Sequence, residues 1–114
     1  MVACQRKGEV TMRSIIQEDR DKCFLCGRPR SSGNPLDEHH VFFGPMRKTS
    51  EKYGLKVYLC SHRCHNFGPD SVHMNAERCR ELQAEVQKIA MECYGWTIKD
   101  FIRLFGRNYT EDIP

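Results

Sequence analysis

Between positions 36 and 45 the chain reads Leu36-Asp-Glu-His-His-Val-Phe-Phe-Gly-Pro45. Aromatic and β-branched residues fill the second half of this stretch, and its closing Gly-Pro pair interrupts regular structure. Residues 36–43 are therefore predicted to form a strand with a breaker behind it. Strict alternation would send the side chains of His39 and His40 to opposite faces of that strand. Both can serve one site only at a strand end or a bulge, which the nearby breaker permits.

A second strand is predicted over residues 55–60, where apolar and polar side chains alternate with the period of a half-buried strand. The two strands bracket a polar loop in which positive charge is concentrated. Three cationic residues of this loop are candidates for contact with the phosphates of a polyanionic partner: Arg47, Lys48 and Lys52.

Two helices are predicted after the strands. Apolar residues recur every three or four positions beyond Asn75, and this pattern stops at Tyr94-Gly95. Thr97-Ile-Lys-Asp100 then resembles a capping box that starts a shorter helix. Its predicted buried stripe consists of Ile98, Phe101, Ile102 and Phe105.

The composition suits one small domain. The chain has 114 residues, of which 39% are hydrophobic and 29% charged, so its core is modest and a metal staple would help to stabilise it. Residues 1–21 are expected to be an N-terminal extension or a short helix capped by Thr11. Residues 22–75 are expected to form the core, on which helices within 76–114 pack.

Charge and hydropathy indicate which partners and which cellular compartment to expect for this protein. The net charge of +3 is compatible with a polyanionic partner but does not by itself indicate a nucleic-acid binder. The sequence shows no signal-peptide pattern and no run of about 20 apolar residues. We therefore expect a cytoplasmic protein without membrane contact. Its thiols would be reduced there, so closely spaced cysteines predict metal ligands rather than disulfides.

Four of the seven cysteines have the spacing of structural zinc ligands. Cys23 and Cys26 are separated by two residues, and Cys60 and Cys64 by three. Each pair falls on a predicted turn, where two thiolates can reach one Zn²⁺ ion without strain. His62 is an alternative to Cys64 as the fourth ligand. Buried thiols without metal are the competing interpretation.

All five histidines fall between positions 39 and 73, in the window that also holds the second cysteine pair. Imidazole ligates metals and is well matched to proton transfer near neutral pH. A zinc site that fixes Cys64 would also fix the backbone of His65. A helical turn or a loop between His65 and His73 would bring both imidazoles to the side where His39 lies.

At this point a family resemblance becomes specific. Glu38-His39-His40-Val41, Leu59-Cys60 and Cys64-His65-Asn66 look like the parts of an HNH endonuclease, also called a His-Me finger or ββα-metal nuclease. The wider likeness covers roughly residues 23–109 and resembles small HNH proteins of bacteriophages and prophages. It extends through Arg47, Ser50-Glu51, Tyr53-Gly54, Ser71-Val72-His73 and Phe105-Gly106-Arg107-Asn108-Tyr109.

The resemblance implies a fold, a reaction and roles. The fold would be an α+β protein with a zinc-stapled ββα-metal core and flanking C-terminal helices. His40 would be the general base, and His39, His65 and His73 would ligate one catalytic Mg²⁺, Mn²⁺ or Zn²⁺. The substrate would be DNA. The loop between the strands lacks the asparagine that gives the family its middle letter, so the orienting role would fall to a backbone group or to another side chain, with Asn66 and Asn75 as candidates.

Two other functions compete with a phage-derived DNA endonuclease or nickase in an infected or lysogenic bacterial host. One is a zinc-binding DNA-binding module whose histidines only complete zinc sites. The other is a regulatory phage protein that keeps the fold without cutting. The adjacent His39-His40 pair favours the nuclease, because a structural zinc site has no use for a neighbouring histidine that is not a ligand. A homodimer, which could cut both strands, is left open.

Overall fold

The computed structural model describes residues 13–110 and has an α+β architecture. Strands β1 (Leu36–His40) and β2 (Lys56–Cys60) form an antiparallel hairpin. A 3₁₀ turn (Gly44–Met46) and the short helix α1 (Arg47–Lys52) connect them. A π-helical turn (Ser61–Asn66) follows β2 directly. Two helices complete the chain, α2 (Ala76–Tyr94) and α3 (Ile98–Phe105).

Strand β1 is shorter than predicted because its hydrogen-bonding partners change after His40. The N–H of Val41 still donates to the Leu55 carbonyl at 3.1 Å. The next N–H, of Phe42, donates instead to the Ser50 hydroxyl of α1 at 3.3 Å. Gly44 then adopts φ 66°, a conformation that glycine reaches at little cost. The strand therefore ends at the histidine pair.

Strand β2 is buried along its whole length, whereas a half-buried strand was predicted. The residues that precede β1 cover its outer edge. Ser14 Oγ donates to the Lys56 carbonyl at 2.5 Å, and the N–H of Tyr58 donates to Gln17 Oε1 at 2.7 Å. The N–H of Phe24 donates to the Tyr58 carbonyl at 2.8 Å. The expected short helix is absent from residues 13–21, and Thr11 lies outside the described residues.

The first C-terminal helix begins and ends, and the second begins, as predicted. The Asn75 side chain accepts from the Arg78 N–H at the start of α2, and Gly95 at φ 71° ends the helix. Both bonds of the capping box at Thr97 and Asp100 are present. The predicted buried stripe of α3 is only half right. Phe101 and Phe105 are buried, whereas 46% of Ile98 and 40% of Ile102 is exposed, because the eight-residue helix meets the core along one narrow line.

Aromatic packing fixes these helices behind the hairpin. The ring of Phe42 lies 5.4, 4.9 and 4.7 Å from the rings of Phe101, Phe105 and Tyr109, measured between centroids. Buried Gln87 of α2 donates to Asn108 Oδ1 at 2.8 Å and accepts from the Tyr109 N–H at 2.6 Å. This packing thus fixes Phe42, and with it the backbone directly after β1, against the C-terminal helices. No helix among residues 13–110 is long and apolar enough to cross a membrane.

Candidate metal sites

Four thiols converge where the N-terminal turn meets the end of β2. The sulfur atoms of Cys23, Cys26, Cys60 and Cys64 all lie within 4.8 Å of one another, and those of Cys26 and Cys60 are 3.5 Å apart. A tetrahedral site with Zn–S bonds of about 2.3 Å requires sulfurs roughly 3.8 Å apart. The group therefore fits one metal ion such as zinc. His62 lies outside this group, and its ring packs against Phe67 at 5.5 Å.

The local electrostatics of these thiols also suit a cation. Burial raises the pKa of Cys23, but hydrogen bonds from the backbone of Cys26, Cys60 and Leu25 outweigh it and lower the pKa to about 7. Burial and the neighbouring Cys23 and Cys26 thiols raise the pKa of Cys64 well above its usual value. The Cys23 thiolate thus forms readily, while burial and the neighbouring thiols raise the pKa of Cys60 and of Cys64. A bound divalent cation would remove the repulsion between neighbouring thiolates.

Three imidazoles converge at a second position. His39 comes from β1, His65 from the π-helical turn and His73 from the loop before α2, and their ligand nitrogens lie within 4.8 Å of one another. The Nε2 atoms of His65 and His73 are 3.2 Å apart. A tetrahedral site with metal–nitrogen bonds of about 2.05 Å requires roughly 3.3 Å. His39 Nε2 is buried and has no hydrogen-bond partner within residues 13–110, which a metal bond would correct.

The protonation states suit metal binding. Burial, reinforced by the neighbouring imidazoles, lowers the pKa of His39 to about 3, so this ring is neutral at pH 7 and keeps a lone pair for a metal. The Asp37 carboxylate accepts from His65 Nδ1 at 2.8 Å, which leaves Nε2 as the nitrogen that faces the other two rings. A carboxylate behind a ligating imidazole is the usual outer partner in metal sites.

Asn66 supports the same carboxylate. Its side-chain amide donates to Asp37 Oδ2 at 3.3 Å and to the Ser61 carbonyl at 2.7 Å. The other candidate for the orienting role, Asn75, caps α2 instead. Asn66 is therefore the asparagine at the histidine group.

The two groups share one short backbone segment. Cys64 and His65 are consecutive in the π-helical turn, and the loop that follows returns alongside them. The N–H of Val72 donates to the Cys64 carbonyl at 2.9 Å, and the N–H of His73 donates to the His65 carbonyl at 3.3 Å. Of the predicted alternatives, a helical turn or a loop between His65 and His73, the loop is the one observed. It brings the two imidazoles together despite their eight-residue separation.

His40 belongs to a separate cluster, as the alternation of β1 requires. Asp37 and His39 lie on the face of β1 that contacts His65. Glu38 and His40 lie on the opposite face, beside Lys56 and Glu51. His40 Nε2 lies 2.7 Å from Glu51 Oε1. The structure thus places the two neighbouring histidines in different surroundings at the end of the strand.

Lys56 provides the positive charge of this second cluster. Only 1% of the residue is exposed, and its ammonium lies 3.0 Å from both oxygens of Glu51 and 3.3 Å from Glu38. Burial raises the pKa of Glu51, but the bonds from His40 and Lys56 outweigh it and lower that pKa. Glu38, His40 and Glu51 lie close enough together to hold a metal. The Lys56 ammonium already lies against both carboxylates and would repel a second cation, so we assign no metal there.

Two sets of residues remain to be placed. One is the set of predicted phosphate-binding residues, and the other is the supporting residues that were not predicted. Arg47, Lys48 and Lys52 are all exposed on α1, the connection between the strands. The supporting roles of Asp37, Glu51 and Lys56 were not predicted. Period-two counting from His39 could have found Asp37, because residues two apart share a strand face.

Comparison with protein-family models, curated proteins and solved structures gives no match.

Proposed function

We propose that this protein is a metal-dependent DNA endonuclease or nickase that hydrolyses phosphodiester bonds. One observation carries the proposal: three imidazoles converge within metal-binding distance, and Nε2 of one of them, His39, is buried without a partner among the described residues. Three protein ligands leave a coordination position for substrate or water, which is typical of catalytic sites. The four-cysteine group would be a closed, structural zinc site.

The residues divide the work between holding a metal and moving a proton. His39, His65 and His73 would hold a divalent ion, Mg²⁺, Mn²⁺ or Zn²⁺. When bound, it would stabilise the negative charge that develops on the phosphate and the departing oxygen. Asp37 and Asn66 keep His65 oriented.

His40 fits the role of general base. When its Nε2–H donates to Glu51, Nδ1 is the nitrogen that accepts a proton from the attacking water. The Glu51 carboxylate stabilises the imidazolium that results, and Lys56 holds that carboxylate in place. Because His39 and His40 face different clusters, the phosphate would have to lie across the end of β1 for both to reach it.

The resemblance to HNH nucleases supports a phage or prophage origin and action in the cytoplasm of the bacterial host. Two competing functions remain as outcomes of the experiments, a zinc-binding DNA-binding module and a regulatory phage protein that does not cut. The separate, carboxylate-oriented His40 favours the nuclease. Neither competing function uses an imidazole prepared for proton transfer.

A plasmid-nicking assay tests the proposal. We expect nicking with added Mg²⁺ or Mn²⁺ and none in EDTA. His40→Ala should lower the rate roughly 10²–10⁴-fold without weakening metal binding, because a general base does not touch the ion. His39→Ala and His65→Ala should weaken metal binding instead, and excess Mn²⁺ should partly restore their activity.

The same variants can contradict the roles. If His40→Ala nicks as well as wild type or recovers with added metal, His40 is not the base. If His39→Ala then behaves as the base variant, the roles within the pair must be exchanged. If no DNA substrate is cut under any metal, one of the non-catalytic functions is correct.

A further inference from the structure

Large apolar side chains are exposed at three residues that neighbour the histidine group in space or in sequence. Phe43, Phe67 and Met74 are 42%, 73% and 66% exposed. Phe67 follows His65 by two residues, and Met74 directly follows His73. The other large exposed apolar residues of the described chain lie on α3. Exposed apolar surface gathered beside a charged site often marks a binding surface.

Phe43 is the member of this set with a defined position. Its ring centroid lies 5.9 Å from that of His39, in a tilted arrangement, and 5.5 Å from that of His73, in an edge-on arrangement. Phe42 turns into the aromatic core, so the next side chain points outward before Gly44 turns the chain. Phe43 therefore contacts two of the three candidate ligands and still offers part of its ring to a bound molecule.

We propose that Phe43 is a stacking platform for an unpaired nucleobase, so that the substrate is single-stranded DNA or an unpaired stretch within a branched or frayed duplex. This rests on the proposed function. A base adjacent to a phosphate held at the histidine group lies within reach of a ring that contacts two of its members. Bases inside a duplex are already stacked on one another and offer no free face, whereas an unpaired base can stack on an aromatic ring whatever its sequence.

Charge near Phe43 favours a nucleic acid over an apolar partner. The chain runs from Phe43 through one 3₁₀ turn into α1, whose first two residues are the exposed Arg47 and Lys48. An aromatic ring followed by exposed cations is the combination that single-strand binding surfaces use, the cations for the backbone and the ring for the bases. A second copy of this chain, with the same positive charge, fits this surface less well.

Binding of fluorescein-labelled oligonucleotides, measured by anisotropy without added Mg²⁺ or Mn²⁺, tests this independently of cleavage. A mixed-sequence single strand is compared with a duplex of equal length. Phe43→Leu should bind the single strand about five- to 150-fold more weakly and the duplex nearly as wild type. Ile102→Ala, which removes an exposed apolar residue of α3, should change neither affinity.

Phe43→Trp keeps an aromatic face and guards against a variant that merely misfolds. It should retain single-strand binding, and its added fluorescence should be quenched as the single strand binds. Unchanged single-strand affinity in Phe43→Leu, equal losses on both DNAs, or no quenching would overturn the proposal. Loss of a wild-type dimer in Phe43→Leu, seen by sedimentation, would assign the surface to a second copy instead. If stacking is found but no DNA is cut, the proposed nuclease fails while this inference stands.

Discussion

Adjacent residues in a strand can be given different chemistry because they face opposite ways. His39 is buried among imidazoles, which lowers its pKa to about 3 and keeps the ring neutral. His40 lies 2.7 Å from a carboxylate that is itself bonded to a buried lysine. The first environment suits a metal ligand, and the second suits a base that becomes positively charged during reaction. Alternation in β1 thus separates the two proposed roles within one residue step.

Asp37 tests the histidine group at the level of a single atom pair. Asp37→Asn removes the negative carboxylate that accepts a hydrogen bond from His65 Nδ1. That carboxylate makes His65 Nε2 a stronger ligand for a metal. We expect affinity for Mn²⁺ or Zn²⁺ at this group to fall roughly 10–100-fold. Titration calorimetry on protein whose four-cysteine group has first been loaded with zinc measures the change. Asp70→Asn, at an exposed aspartate of the following loop, is the matched control. Equal affinities for both variants would mean that Asp37 does not act through His65.

Residue-level patterns in the sequence predicted part of the candidate site but not all of it. Spacing identified the four cysteines and three histidines that the structure brings together, because short turns constrain where their side chains go. The half-buried alternation predicted over residues 55–60 implied that its polar side chains face outward, and for Lys56 this was wrong. The burial of Lys56 depends on Glu51, five residues earlier, and on Ser14, forty-two residues earlier. Such long-range pairing leaves no periodic trace in a single sequence.

At the scale of elements, the π-helical turn has the most demanding geometry. Its closing N–H groups, of Phe67 and Gly68, both donate to the His62 carbonyl, at 2.7 and 2.9 Å. A Cβ on Gly68 would lie 2.3 Å from the Arg63 carbonyl oxygen, so backbone would have to move. The turn that carries Cys64 and His65 therefore depends on this glycine.

Gly68→Ala should reduce the free energy of unfolding by about 1–3 kcal/mol and should also weaken metal binding at the histidine group, because the turn cannot close without moving His65. Urea unfolding and metal titration check the two effects. Gly33→Ala is the matched control, since a Cβ there meets no atom within 4 Å. A Gly68→Ala protein as stable as the Gly33→Ala protein would show that the turn adapts at no cost.

The elements that the sequence predicted best are those with local signals. The start and end of α2 and the capping box of α3 depend on residues within four positions, and all were confirmed. The strand lengths were less accurate, because β1 ends where Ser50 of α1 captures the Phe42 N–H. The covering of β2 depends on the irregular segment before β1, and irregular structure has no repeat to detect. The zinc and catalytic identities of the two groups stay predictions.

For the whole molecule, the four-cysteine group joins the N-terminal turn to the hairpin. We expect about one tightly held zinc ion per chain. Cys64→Ser should lower zinc content strongly and destabilise the fold, because a tetrahedral site loses one of its four ligands. His62→Ala should leave zinc content unchanged, since its ring packs against Phe67 and not on the thiols. Elemental analysis of protein purified without chelator decides both points. Zinc loss in His62→Ala but not in Cys64→Ser would reverse the assignment.

The last prediction follows from where the exposed positive charges lie on the molecule. Arg47, Lys48 and Lys52 are exposed on α1, which follows Phe43 and carries Glu51 of the His40 cluster. If these cations bind phosphates, changing all three to glutamine should weaken DNA binding without altering sequence preference. Each neutralised phosphate contributes about 0.7 to the slope of log affinity against log salt for a single strand, so the slope should fall by roughly 2.

The control for this triple variant has the same loss of charge on the other helices. Arg80, Lys88 and Lys99 are exposed on α2 and α3, and changing them to glutamine removes three positive charges as well. A general attraction between a basic protein and DNA would make both triple variants lose affinity and slope alike. Binding through α1 predicts that only the Arg47, Lys48 and Lys52 variant loses them. Affinity measured between 50 and about 200 mM salt separates the two, because long-range attraction is screened over that range while phosphate contacts set the slope.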